Sequence, residues 1–72
     1  MDYKELGKYI REQRVKSGKS LNSFAIDIGI EPAILSRIEN LKQNIKLNVL
    51  VKIASGFGKT PAVLLAEFEK ES

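Results

Sequence analysis

The chain has 72 residues, 43% hydrophobic and 29% charged, with 12 Lys and Arg against 9 Asp and Glu for a formal charge of +3. It has no Cys and no His, which removes a disulfide framework, a thiolate or imidazole zinc site, and catalysis resting on either side chain. One domain over residues 1–72 is expected, with a small core, because a chain this short buries only about 60% of its unfolded surface. No apolar run approaches the ~20 residues that span a bilayer. The opening MDYKELGKYI carries acids and lacks the apolar stretch of a secretion signal, so the cytoplasm is the expected compartment.

Residues 3–17 read as the first helix. Leu6 and Ile10 lie one turn apart on its inner face, with Tyr3 and Val15 at the margins. Glu5 with Lys8, and Lys8 with Glu12, can pair on the outer face. Arg14 falls on the inner stripe, where an aliphatic residue is expected. A partly buried Arg requires a carboxylate partner. Ser17-Gly18-Lys19 breaks the helix, with Gly18 as its cap.

Residues 20–40, SLNSFAIDIGIEPAILSRIEN, carry the most information. Leu21, Phe24, Ala25 and Ile28 fall at i, i+3, i+4 and i+7, one face of a helix. Ser20 precedes that run and can cap it, its hydroxyl accepting an orphan backbone N–H. Gly29 follows the run, where a residue without Cβ can turn left-handed and end the helix. Glu31-Pro32 restarts a helix, Pro at its first position and Glu at the positive end of its dipole. Leu35 and Ile38 continue the apolar stripe, and Ala25 is small where the two helices meet. This is the sequence form of a helix-turn-helix, whose second helix enters the DNA major groove.

Asn40 to Asn44 is a polar loop with one apolar residue, Leu41. Helix four follows over residues 47–57. Leu47, Leu50, Val51, Ile53, Ala54 and Phe57 predict it to be the most buried helix, closed by Gly56 and Gly58. Thr60 caps helix five and Pro61 opens it, with Val63, Leu64, Leu65 and Phe68 along it. From Arg37 to Lys59 there are five bases against one acid, whereas Glu67, Glu69 and Glu71 make the end acidic. A basic middle beside an acidic end orients a domain toward a polyanion.

Several of these residues together resemble the phage repressor and Cro family, the xenobiotic-response-element type of helix-turn-helix regulator. They are Leu6-Gly7, Ile10-Arg11 and Arg14; Ser20, Phe24-Ala25 and Gly29-Ile30; Ser36-Arg37-Ile38-Glu39-Asn40; then Leu47, Leu50, Ile53-Ala54, Gly58 and Leu64-Leu65. The resemblance runs from Leu6 to Phe68 and rests on their joint order and spacing. It implies an all-α fold, a compact five-helix lambda-repressor-like domain. It also implies a structural ion pair of Arg14 with Glu39, bracing the recognition helix against helix one.

The same resemblance places Pro32, Ala33, Ser36 and Arg37 at the major groove. Arg37 is the expected base reader, since a guanidinium pairs with guanine O6 and N7. Ser20 and Asn22 would hold one phosphate, and Asn40, Lys42 and Gln43 the next. Ile34 either packs sideways on helix two or faces DNA. Four positions depart from the family's pattern. Leu21 stands where Gln is frequent, Glu31 and Pro32 replace polar residues, and Leu41 replaces Gly, which requires a cap built differently.

The expected function is a sequence-specific double-stranded DNA-binding transcriptional regulator, a repressor acting as a homodimer. Val63, Leu64 and Phe68 exceed what one core face needs and are candidates for the dimer interface. The alternative is a protein-interaction module of the same fold, antitoxin-like or anti-repressor-like, that has lost DNA binding. No catalytic constellation, cofactor, metal, membrane or small-molecule partner is expected.

Overall fold

In the computed structural model, which describes residues 3–71, the described residues form five helices and no strand. They are α1 (Leu6–Lys16), α2 (Leu21–Ile28), α3 (Pro32–Glu39), α4 (Leu47–Gly56) and α5 (Pro61–Glu71). Helices α1 and α2 both pack on α3, and α4 bridges α2 to α5.

The local signals explain most boundaries. Ser20 is extended and its hydroxyl accepts from Ser23 N–H at 3.1 Å, starting α2. Gly29 ends α2 in the left-handed region at φ 77°. Pro32 opens α3 after an extended Glu31. Thr60 Oγ1 accepts from Val63 N–H at 3.2 Å at the start of α5. Helix α1 starts later than the expected residue 3. Glu5 at its N-cap makes no side-chain cap bond, and residues 3–5 form only a turn in which Leu6 N–H donates to Tyr3 O.

Ile10, Phe24, Leu35, Ile38, Ile53 and Leu64 are the largest fully buried side chains, and one cluster joins them to Leu6, Tyr9, Ala25, Leu50, Ala54 and Phe68. Phe24 stacks on Phe57 with ring centroids 4.9 Å apart. Two glycines let neighbouring helices approach closely. A Cβ on Gly7 would lie 1.9 Å from the Ile38 carbonyl oxygen, so α1 and α3 meet backbone to backbone. A Cβ on Gly56 would lie 2.5 Å from Ile28 Cγ2 and 2.8 Å from the Phe24 ring, so α4 rides closely over α2.

Three expectations need correction. Helix α4 is not the most buried helix: it buries Leu50, Ile53 and Ala54, while Leu47 is 72% exposed and Val51 is also exposed. Its apolar residues cover more of its circumference than its neighbours do. Gly56 does not close it by turning left-handed. Gly56 lies inside the helix at the α2 contact, and Gly58 makes the turn at φ 71°.

The second correction concerns the dimer candidates. Leu64 is 0% and Phe68 4% exposed, so both are spent on the domain's own core and cannot form an interface. Tyr3 and Tyr9 pack on the Phe68 ring, at 6.1 and 5.4 Å between centroids. Only Val63 of the three is exposed.

The third concerns the end of α3. Leu41 takes the left-handed conformation itself, at φ 60°. Its N–H donates to Ile38 O at 3.1 Å, and Lys42 N–H donates to Arg37 O at 2.8 Å. These are the two bonds of the cap that Gly ordinarily makes. The cap is therefore the usual one, made by a residue for which that backbone is strained.

Candidate nucleic-acid interface

Helix α3 buries Leu35, Ile38 and Glu39 and turns its opposite face outward. Ala33, Arg37 and Asn40 are exposed, and Pro32 and Ser36 are partly exposed. Positions 33, 36, 37 and 40 share one helical face by their spacing. Ile34 packs against the core cluster, which settles its placement away from that face. Ser20, Asn22 and Lys42 are exposed, and Gln43 is partly so. All nine candidate DNA contacts therefore keep accessible surface.

The helix is held from behind. Arg14 Nε donates to Glu39 Oε2 at 2.8 Å and Nη2 donates to Oε1 at 2.9 Å. Nη1 donates to the Lys19 carbonyl at 2.8 Å. The Glu39 side chain is 1% exposed, and no buried side-chain polar atom among the described residues lacks a partner. The hydrogen bond to Glu39 holds Arg14 above its ordinary pKa, against the opposing effect of burial. The pair thus joins the last turn of α3 to α1, as the inward Arg required.

Two further contacts shape the exposed face. Asn40 Nδ2 donates to the Ser36 carbonyl at 2.8 Å, and lies 3.4 Å from Ser36 Oγ. Arg37 Nε donates to Gln43 Oε1 at 2.8 Å. Sequence reasoning placed Gln43 at a phosphate and missed its bond to Arg37. The six-residue separation crosses a cap and has no helical periodicity to reveal it. Lys52 was also missed: its Nζ donates to Gly29 O at 3.4 Å, tying α4 to the turn between α2 and α3.

Two acids of α5 are engaged elsewhere. Glu67 pairs with Lys59, and Glu71 accepts from the Tyr9 hydroxyl at 3.0 Å. Glu31, at the start of α3, is the exposed acid nearest in sequence to the outward face.

Among the described residues no single helix is long and apolar enough to cross a membrane. A model of the helix-turn-helix family matches residues 10–64. The control protein C.MunI of a Mycoplasma species is 39% identical over 59 residues, which cover 82% of this chain and 80% of that protein. No solved structure matches the chain significantly.

Proposed function

The chain belongs to the helix-turn-helix family and is a DNA-binding transcriptional regulator, and from that premise we propose that α3 enters the major groove with Arg37 as its base reader. The observation that carries this reading is the outward face of α3. It presents Ala33, Ser36 and Arg37 while α1 fixes the helix from the opposite side. Guanidinium donors match guanine O6 and N7, and Ser36 offers one hydroxyl to a base or a phosphate. Pro32 and Ala33 give apolar contact, of the kind a thymine methyl accepts.

Phosphates would be held on both sides of this helix. Ser20 and Asn22 stand at the N-terminus of α2, where free N–H groups favour an anion. Asn40 and Lys42 follow the end of α3. Such contacts set the register on the duplex but carry no sequence information.

We read the working unit as a homodimer. The domain measures 29 × 25 × 22 Å, so two copies side by side can present equivalent helices at a spacing near one DNA turn, ~34 Å. Val63 of α5 and Leu47 and Val51 of α4 are the large exposed aliphatics of the last two helices. The relative's name, control protein, fits regulation as the biological role.

The test is a selection of duplexes from a random pool, followed by binding measurements across a salt series. Recovery of a two-fold symmetric motif, with log affinity falling linearly against log salt, supports the reading. Lys42→Ala should lower that slope by about one, evenly across sequences. No enriched motif and no salt dependence would favour the protein-interaction alternative.

A further inference from the structure

We infer that Gln43, outside the recognition helix, positions Arg37 for end-on recognition of a guanine. The inference rests on Arg37 being the base reader proposed above. It explains how an exposed, flexible side chain is aimed.

Arg side chains carry more rotamer freedom than almost any other, and that freedom opposes a single binding geometry. Arg37 is exposed in the last turn of α3. Its Nε donates to Gln43 Oε1 at 2.8 Å. A guanidinium has five N–H donors, one on Nε and two on each terminal nitrogen. With Nε occupied, the side-on edge formed by Nε and one terminal nitrogen is closed. The fork end, Nη1 with Nη2, is the edge that fits O6 and N7 of one guanine.

The chemistry of the partner is apt. Gln43 is neutral, so it orients Arg37 without cancelling its charge, and a polyanion can still attract it. Arg14 shows the opposite arrangement within the same domain. All three of its nitrogens are bonded, two of them to the Glu39 carboxylate, and it is buried. One arginine is committed to the scaffold. The other is restrained at one nitrogen only in the contacts that the structure shows.

The cap of α3 brings Gln43 into place. Leu41 at φ 60° reverses the chain, and the bond from Lys42 N–H to Arg37 O closes the reversal on Arg37 itself. Residue 43 then lies beside residue 37. A strained backbone persists only where its surroundings hold it; here it aligns a reader with its guide.

The experiment uses the full chain and anisotropy titrations against three duplexes. These are a selected site, the same site with its Arg37-dependent G·C exchanged for A·T, and a random-sequence duplex. Arg37→Ala identifies that base pair. The wild type should discriminate the first two by on the order of tenfold or more. Gln43→Ala should reduce that ratio to about threefold, leaving random-duplex affinity within about twofold of wild type. Gln43→Glu keeps the acceptor, so it should restore discrimination while weakening binding to every duplex through repulsion of phosphate.

Wild-type discrimination in Gln43→Ala, or an equal loss on all three duplexes, would overturn the positioning role. If Arg37→Ala itself erased no base preference, the readout reading would fall and this inference with it. Loss of preference in Arg37→Ala but not in Gln43→Ala would remove only the part assigned to Gln43.

Discussion

Arg14 and Glu39 meet through two parallel hydrogen bonds of 2.8 and 2.9 Å, one residue on α1 and the other at the end of α3. The geometry is the bidentate fork that Arg forms best with a carboxylate. Because both side chains are buried, either one left alone would be an uncompensated charge.

Arg14→Met and Glu39→Leu should therefore each destabilise the domain by about 3–5 kcal/mol. The double variant should lose much less than the sum, because it leaves no orphan charge. A double-mutant cycle from urea denaturation measures this directly. Small, additive losses would mean that the pair is merely incidental to the fold.

Gly7 offers a second test of how α3 is seated. An added methyl would lie 1.9 Å from the Ile38 carbonyl oxygen, a distance that forces α1 away from α3. Ala is favoured over Gly in a helix interior by about 1 kcal/mol. Gly7→Ala should nevertheless lose about 1–3 kcal/mol, because overpacking dominates. Thermal denaturation decides the sign, and a more stable variant would contradict the backbone contact.

Tyr9 links α1 to the end of α5. Burial first, then the hydrogen bond to Glu71 and the charges of Glu71 and Glu67, push its hydroxyl up to about 12 from the ordinary value near 10. The folded state thus favours the protonated phenol. Its contribution is complete below about pH 10 and is lost as pH rises through about 12. The stability difference between wild type and Tyr9→Phe should be flat from neutral pH to about pH 9 and then shift against the wild type. A difference unchanged to about pH 11.5 would show that Tyr9 titrates normally.

Much of this fold was legible because its signals are local. Ser20, Gly29, Pro32 and Thr60 each act on backbone groups within a few residues, so spacing alone places them. Arg14 announced its need for an acid by standing in an apolar stripe, and the resemblance named Glu39. The burial of Leu64 and Phe68 was less legible. A periodic stripe says that a face is apolar, but not whether the same chain or another covers it. Leu41 was misread because a left-handed cap is ordinarily made by Gly, and sequence does not show where tertiary contacts impose it on another residue. Gly7 and Gly56 had a visible signal, a glycine within a helical pattern, that points to close approach of a neighbour. The bond from Arg37 to Gln43 had none.

The central claim is that Arg37 reads a guanine from the major groove, and methylation interference tests it most directly. Guanine N7 faces that groove and accepts from the guanidinium, so a methyl group there blocks the contact. On a selected duplex, the wild type should show strong interference at one guanine in each half-site, and Arg37→Ala should lose that signal while retaining weaker binding. Interference at no guanine, or an identical pattern with Arg37→Ala, would contradict the account.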